Sequence, residues 1–368
     1  MKKVSLVFVM VLVAGMAMAQ NKSLVDQVGN SNGATVAQTG TLNDATAKQI
    51  GNSDVALVKQ VGTSNIGVSD QINGNTNNAT IDQDGTTNQA YLTQGMVPNY
   101  YAAPYNISSA VPALRNVGSI KQIGAANYSE FVQVGTDNAG SVSQNGNGNI
   151  GYAYQGWAFG FWGETPTTSA LSSTNSTATI SQIHNSNDGD IWQYGGDNNK
   201  ANISQDGNSN LARISQGFIY TDAPYDFTNP VYNTKNNTAS LTQSGDNNAA
   251  KLFQLGDGNS FALTQNGNGN SVGLDAGGLL VARNGYFEQD GNYNTFTGTQ
   301  SDGATLDHTS RQTGNSNAIN LSQGEDDLAK IIQTGDLNNV FLTQGGDGQN
   351  ATILQTGNSN TATVSQVP

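Results

Sequence analysis

Residues able to carry out acid–base or metal chemistry are scarce in this chain. The sequence holds two histidines and no cysteine, so a thiolate metal site is excluded and few imidazole ligands are available. His184 and His308 both fall at fixed positions of a repeated pattern, described below, where Gly and Ala are usual. The run Gly146-x-Gly148-x-x-Gly151 matches a dinucleotide-binding fingerprint by letters, but no helix pattern follows it, as that motif requires. We therefore predict no catalytic residue, no metal and no cofactor.

Composition limits the class of protein. Of the 368 residues, 36% are hydrophobic and 11% are charged. The chain is thus too polar for two ordinary apolar cores and too weakly charged to be held open by self-repulsion. The net charge of −13 repels phosphate backbones, so we predict no nucleic-acid partner.

The N-terminus has the layout of a secretory signal peptide. Lys2 and Lys3 precede an apolar run, Val4 to Met18, and Ala17 and Ala19 occupy the −3 and −1 places of a cleavage site. A transmembrane anchor is the alternative, but the run falls short of the roughly 20 residues needed to cross a bilayer. We predict a signal peptide over residues 1–19 and secretion of the rest.

Glutamines recur through the chain at a nearly constant interval. Of the 25 intervals between 26 marker glutamines, 17 are 11 residues, three are 12, one is 10 and four are long. A merely Gln-rich tract would not keep this phase. The markers that we predict as ladder residues are Gln27, Gln38, Gln49, Gln60, Gln71, Gln83, Gln94, Gln122, Gln133, Gln144, Gln182, Gln193, Gln205, Gln216, Gln243, Gln254, Gln344, Gln355 and Gln366, and the remaining markers are Gln155, Gln265, Gln289, Gln300, Gln312, Gln323 and Gln333.

The motif around each marker is Gln-x-Gly-x-x-Asn-x-Ala-x-x-x-Gln, matched in full at residues 27–38 and 355–366, for example. Gly suits a tight turn, and the Asn that follows tolerates left-handed backbone and can bond to the turn. Before each Gln, small or aliphatic residues alternate with polar ones, which indicates β-strands. Two strands and two turns make a coil of about 22 residues, and stacked coils make a β-solenoid.

The predicted fold is therefore all-β: about 13 stacked strand-turn-strand coils forming two parallel sheets with packed inner faces. Inward Gln and Asn must be satisfied when buried. We predict that each side-chain amide bonds to its copy one coil away, about 4.8 Å along the axis, so that the markers form ladders.

Three insertions interrupt the repeats, at roughly residues 95–116, 156–175 and 217–236, and residues 277–288 are irregular after a degenerate strand at Asp275–Ala276. The intervening repeat blocks are 20–94, 117–155, 176–216, 237–276 and 289–368. Because the insertions recur every four strands, they should leave one edge of the solenoid. Their aromatics then form a contact stripe for adhesion or partner binding, or a self-packed flap; the candidate residues are Tyr100, Tyr101, Tyr105, Trp157, Phe159, Phe161, Trp162, Phe218, Tyr220 and Tyr225.

One region matches the pattern less well. Gly298 and Ser310 stand at core positions, and a shortened interval carries Glu325, Asp326 and Asp327 in its turn. We interpret this charge run as a solvated turn. A gatekeeper that slows premature assembly is the alternative.

The motif resembles the curlin repeat, Ser-x5-Gln-x-Gly-x-x-Asn-x-Ala-x3-Gln, over nearly all of residues 23–366. Close local versions occur at residues 179–182, 201–205 and 365–366. The resemblance implies a subunit of an extracellular bacterial amyloid that leaves through an outer-membrane pore, meets a nucleator subunit and polymerises. This chain departs from the family pattern in its larger number of repeats, its aromatic insertions and the absence of a Gly-rich leader before the first repeat.

We predict a structural subunit of a curli-like amyloid fibre that assembles end to end and supports biofilm matrix, cell aggregation and adhesion. Exposed strand edges at both ends would template further chains. The major subunit and the nucleator are not distinguished. A non-polymerising surface adhesin is the main alternative. An ice-binding solenoid would need a regular Thr array on one face, whereas outward positions mix Thr with Lys, Asp, Glu and Tyr. A glycan-degrading enzyme would need clustered carboxylates on neighbouring coils, and none is apparent.

Overall fold

The computed structural model describes residues 20–95, 112–156, 172–193, 195–217, 234–272, 287–307 and 309–366. These residues form strands and turns with no helix among them. The strands make two wholly parallel sheets of 13 and 19 members, stacked as the two walls of a β-solenoid. The predicted fold class is confirmed. The predicted signal peptide, residues 1–19, lies outside the described residues.

The 13-stranded sheet, hereafter the continuous sheet, receives one strand from every coil. Its strands are β2 (Gly33–Thr41), β4 (Val55–Thr63), β6 (Asn78–Thr86), β9 (Val117–Ala125), β12 (Ala139–Asn147), β15 (Thr177–Ile183), β18 (Lys200–Asp206), β20 (Thr238–Ser244), β22 (Ser260–Asn266), β25 (Thr295–Gln300), β28 (Ala318–Glu325), β30 (Asn339–Asp347) and β32 (Thr361–Gln366).

The 19-stranded sheet, hereafter the interrupted sheet, also receives one strand from each of 13 coils. Two of these 13 strands are split into two pieces, and four additional two-residue strands, β8, β11, β14 and β17, lie at the corners. Its strands are β1 (Lys22–Val28), β3 (Asp44–Asn52), β5 (Ile66–Asn75), β7 (Gln89–Gln94), β8 (Ala113–Leu114), β10 (Tyr128–Gln133), β11 (Gly135–Thr136), β13 (Ile150–Gln155), β14 (Ser173–Thr174), β16 (Asp188–Gln193), β17 (Gly196–Asp197), β19 (Leu211–Gln216), β21 (Ala249–Leu255), β23 (Ser271–Val272), β24 (Phe287–Asp290), β26 (Thr305–Leu306), β27 (Arg311–Thr313), β29 (Leu328–Thr334) and β31 (Asn350–Thr356).

The core forms because the period-2 alternation places like residues above one another. Each strand pairs in register with its equivalent one coil later, so Val36, Val58 and Ile81 stack in one row. Small residues four places before each Gln, such as Ala45 and Ala79, keep the two inner faces close, and the core is a narrow column of Ala and aliphatic rows. With coils about 4.8 Å apart, the 13 coils span roughly 60 Å.

The turns explain two fixed positions of the motif. Gly62 has φ +112°, and a Cβ there would overlap the carbonyl oxygen of Gly85 in the next coil, so both conformation and stacking demand Gly. A second left-handed residue follows two positions later, as at Ser31 and Ser64. The motif Asn, for example Asn32, is not itself left-handed, and its Nδ2 donates to the backbone oxygen of Val28 at the start of the turn. The residue before the Asn takes the left-handed conformation because the Asn side chain turns inward.

Gly298 is accommodated by aromatic rings. Phe261 and Phe296 stack with centroids 4.6 Å apart, and Phe287 lies 4.7 Å from Phe296. All three rings are buried, and a Cβ on Gly298 would lie 2.6 Å from the Phe296 ring. The Phe rings thus fill the space that an aliphatic residue occupies in other coils.

Two strands of the interrupted sheet are split near this cluster. Ala250 pairs with Val272 and Leu252 with Phe287, so the nineteenth strand consists of β23 and β24, with residues 273–286 inserted within it. The degenerate strand predicted at Asp275–Ala276 falls in that insertion, outside the described residues. The second split lies between β26 and β27, where the Oγ of Ser310 accepts a bond from the backbone N–H of Ile331 at 3.1 Å.

Candidate assembly interface

The marker glutamines form two unbroken ladders along the solenoid axis. In the interrupted sheet, Nε2 of each Gln donates to Oε1 of the next from Gln27 to Gln355, at 2.6–3.0 Å. In the continuous sheet, the same bond runs from Gln38 to Gln366 at 2.8–3.2 Å. The structure places all 26 markers in these ladders: the 19 predicted ladder residues and the seven remaining markers.

Each interior glutamine is satisfied on three sides. Gln205, for example, accepts from Gln182 at 2.9 Å, donates to Gln243 at 2.9 Å, and gives its second N–H to the backbone oxygen of Asp188 across the core at 3.1 Å. The buried amide therefore carries little desolvation penalty, and its bonds tie the two sheets together as well as successive coils.

Asparagines build a second pair of ladders at the corners, with the opposite polarity. The backbone N–H of Asn65 donates to Oδ1 of Asn43 in the preceding coil at 3.1 Å, and its Nδ2 caps the carbonyl of Gly85 in the following coil at 3.0 Å. The corner after the interrupted sheet keeps this chain from Asn32 to Asn360. The other corner is interrupted at Ala304, which has no side-chain acceptor.

The two ends of the stack present complementary groups. Among the described residues, β1, β2, β31 and β32 each pair on one side. At the first coil, Oε1 of Gln27 and Gln38 accepts no bond from any residue that the structure describes. At the last coil, Nε2 of Gln355 donates one hydrogen to the backbone oxygen of Asn339, and Nε2 of Gln366 donates one to that of Asn350. The second hydrogen of each has no acceptor among the described residues. One end therefore offers ladder acceptors and the other offers ladder donors.

A comparison with protein families identifies this repeat. The curlin-associated repeat matches residues 174–207, 196–222, 234–267 and 335–367. The chain is a curlin-repeat protein. Its family is structural and non-enzymatic, and its members are extracellular curli components that self-assemble into fibres. No curated protein matched the chain.

Two acidic residues replace the corner Asn of the curlin repeat, with different surroundings. Oδ1 of Asp54 accepts from the backbone N–H and Nδ2 of Asn77, but its buried Oδ2 has no partner. Burial raises the pKa of Asp54, although its bonds from Asn77 oppose the shift. At Asp327, Oδ2 instead accepts from the Gly324 N–H at 2.7 Å and Oδ1 from the Gln349 N–H at 2.8 Å.

We predicted that the charge run Glu325–Asp327 is a solvated turn, and this was wrong for Asp327. Asp327 is 1% exposed and fills the corner position. The shortened interval brings a backbone N–H to its second oxygen, which explains why a carboxylate is accommodated there.

Sequence reasoning missed a feature on the outward face of the interrupted sheet. Aromatic side chains one, three or five residues before Gln form a column: Tyr91 and Tyr128 lie 5.7 Å apart, Tyr128 and Tyr152 5.6 Å, Tyr152 and Tyr154 6.2 Å, and Tyr154 and Trp192 6.3 Å between ring centroids. Tabulating odd and even repeats separately would have found this column, because every member lies in an odd repeat.

Charged residues continue the same column. Asp188 and Asp190 share the outward face of β16, a carboxylate pair that sequence reasoning did not find. Nε of Arg213 on β19 lies 2.8 Å from Oδ2 of Asp190. Burial, reinforced by Asp188, raises the pKa of Asp190 to about 7, and Arg213 opposes that shift. Lys251 on β21 follows and is 7% exposed. We interpret this cluster as ion pairing between neighbouring coils.

The other predicted site residues fall as follows. His184 occupies a turn-Gly position with φ +73°, and its Nδ1 lies 3.0 Å from Oδ1 of Asp206. His308 and all ten aromatics of the predicted contact stripe lie outside the described residues. Within the described ranges, no three His, Asp or Glu side chains gather as metal ligands would, and no helix long and apolar enough to cross a membrane occurs there.

Proposed function

We propose that this curlin-repeat protein is a structural subunit of an extracellular curli-like amyloid fibre that grows end to end. The observation that supports the proposal is the pair of glutamine ladders with complementary ends. Placing a second copy above coil 13 with the register used inside the chain puts Gln27 over Gln355 and Gln38 over Gln366. Both ladders then continue across the junction, as does the parallel backbone pairing.

Ladder polarity supports a head-to-tail junction. In that arrangement the free N–H groups of Gln355 and Gln366 meet the free Oε1 atoms of Gln27 and Gln38, and the Asn32 N–H meets Oδ1 of Asn360. A head-to-head junction would oppose acceptor to acceptor. Fibres built this way are polar, because one fibre end presents free Gln acceptors and the other presents free Gln donors.

The cellular role follows from the same proposal. The first 19 residues predict a signal peptide, and the curlin resemblance implies export through an outer-membrane pore and a nucleator subunit. The fibre would support biofilm matrix, cell aggregation and adhesion. The negative net charge would limit lateral clumping during growth while leaving the ends free to pair.

The test is seeded growth of residues 20–368 diluted from denaturant, followed by thioflavin-T fluorescence and imaging of the product. We expect thin fibres whose growth accelerates with preformed seeds. A lasting β-rich monomer would contradict the proposal and favour the surface adhesin.

A matched pair of variants tests the junction itself. Val364 faces inward on β32 and is half-buried against the core, whereas Leu354 faces outward on β31 and is 65% exposed. Val364→Lys would bury a charge only when the next copy docks, at a cost of several kcal/mol. We expect elongation to fall by a factor of ten or more with the circular dichroism of the monomer retained, and Leu354→Lys to elongate normally. Equal rates for both variants would rule out this junction.

A further inference from the structure

The outward face of the continuous sheet is almost free of charge over most of its length. We define the neutral face as the outward residues one, three and five positions before the marker Gln on the nine strands β12, β15, β18, β20, β22, β25, β28, β30 and β32. Nineteen of its 27 residues are Ser or Thr, and Lys200 is its one charged residue. The position just before Gln is Ser or Thr in all nine strands, from Ser143 to Ser365.

The neutral face is also open. None of its 27 residues is buried, and every turn that follows a strand of this sheet lies within the described residues. Its hydroxyl groups make no hydrogen bond with other described residues. Strands succeed one another in register without a split, so the hydroxyl rows repeat once per coil. The mixture of Thr with Lys, Asp, Glu and Tyr seen in the sequence arises largely from combining the two sheets.

Charge and periodicity identify the occupant that fits this face. The protein carries a net charge of −13, so two copies repel each other wherever charged faces meet, and the neutral face is where that repulsion is weakest. A second copy has the same axial repeat, so its rows stay in phase with these rows over all nine coils. Small polar side chains allow two sheets to approach to roughly 10 Å and interdigitate. A glycan-binding face would present several aromatic side chains for sugar rings to stack on, whereas Phe341 is the one aromatic residue of the neutral face.

We propose that the neutral face pairs with the neutral face of a second copy, so that filaments associate laterally through their continuous sheets. Nine strands of five residues give a face of roughly 13 Å by 40 Å, about 500 Å² per partner. This is below the roughly 800 Å² of a standard stable interface, so single subunits pair weakly. The strength of pairing rests on the proposed fibre, in which the faces of successive subunits add.

The experiment compares two double variants of the full repeat region, residues 20–368. Thr242→Glu with Thr299→Glu adds two charges to the neutral face on strands β20 and β25, two coils apart. Thr35→Glu with Thr80→Glu makes the same change, also two coils apart and on the same sheet, but outside the neutral face. Circular dichroism and seeded elongation rate should match the wild type for both.

Mass per unit length of the fibres is the readout. We expect wild type and the Thr35/Thr80 variant to show about twice the value for a single file of subunits, and the Thr242/Thr299 variant to show the single-file value. Paired filaments in the Thr242/Thr299 variant, or single files in all three proteins, would overturn the proposal.

If no fibres form, so that the proposed function fails, the same proteins are compared as monomers by sedimentation at high concentration. Self-association at least tenfold weaker in the Thr242/Thr299 variant than in the Thr35/Thr80 variant supports the neutral face independently of fibre growth. The same three proteins also test two other occupants of the neutral face. Thermal hysteresis, or binding to an insoluble glycan, that is lost in the Thr242/Thr299 variant while self-association is unchanged would assign the face to ordered water or to a polysaccharide and overturn pairing.

Discussion

The two sheets share one inward pattern and differ on their outward faces. Inward, both present the same order of small residue, aliphatic and Gln, and both ladders run without a break. Outward, the continuous sheet is mostly Ser and Thr, whereas the interrupted sheet carries tyrosines, ion pairs and buried groups such as Asp190 and Phe253. The four long insertions, residues 96–111, 157–171, 218–233 and 273–286, all follow or fall within strands of the interrupted sheet.

This difference shows how a repeat separates two tasks. The inward positions must stack on their own copies, so any change is felt by the coils above and below. The outward positions of each sheet touch only their own neighbours, so one face can collect charges and rings while the other stays neutral. In the proposed fibre, the inward pattern that the sheets share would serve axial growth, and the outward difference would serve lateral contact.

The largest expected effect tests what the sheets share. Gln193 on β16 and Gln205 on β18 each make three amide hydrogen bonds. Gln193→Ala or Gln205→Ala orphans buried partners on both sides and leaves a cavity, so we expect each to lower the free energy of unfolding by about 3–5 kcal/mol. Urea unfolding followed by circular dichroism measures the loss.

The control for this pair is Ser204→Ala, one residue before Gln205 and pointing outward, which should change stability by less than about 0.5 kcal/mol. Unequal losses of unfolding free energy for the Gln193 and Gln205 variants would show that the inward faces of the two sheets are not equivalent.

The next effect tests where the sheets differ. Tyr152 on the interrupted sheet contacts Tyr128 and Tyr154, whereas Thr297 on β25 of the continuous sheet is exposed. We expect Tyr152→Ala to cost about 2 kcal/mol through lost ring contacts and burial, and Thr297→Ala to cost less than about 0.5 kcal/mol. Thermal unfolding of the soluble monomer would measure both, and a costly Thr297→Ala would contradict an open neutral face.

The sequence predicts the inward half of this molecule because each inward position repeats. Interval and alternation were enough for the solenoid, its number of coils and the identity of the ladder residues, and the structure confirms the fold class. The interval between Gln265 and Gln289 was misread because a spacing alone does not say whether an insertion lies between strands or inside one. Pairing of Ala250 with Val272 and of Leu252 with Phe287 settles that question.

The outward half was harder to predict because its pattern has a period of two repeats. Odd repeats supply the interrupted sheet and even repeats the continuous sheet, so pooling them mixes Tyr152 with Ser143 and hides both faces. The buried state of Asp327 was missed for a local reason. A carboxylate in a polar turn looks solvated unless the backbone N–H that meets it is known.

The smallest expected effect compares the two acidic corners. Oδ2 of Asp54, at the turn after the interrupted sheet, stands where other repeats place an Asn Nδ2 donor, and it has no partner. Because burial raises the folded-state pKa of Asp54, the folded protein binds its proton more tightly than the unfolded chain does. Stability from this group is full below the unfolded pKa, near 3.9, and is lost as the pH rises through the higher folded value.

Asp54→Asn should therefore raise stability by about 1 kcal/mol at pH 7 and change little at pH 3. Asp327→Asn, at the turn after the continuous sheet, places an amide against the Gly324 N–H if its nitrogen takes the Oδ2 position, so we expect no gain at either pH. Unfolding midpoints of the three proteins at pH 3, 5 and 7 give the comparison. A gain at Asp54 that is independent of pH would mean that shape rather than the unpaired carboxylate oxygen limits that corner, and a gain at Asp327 would remove the distinction between the two corners.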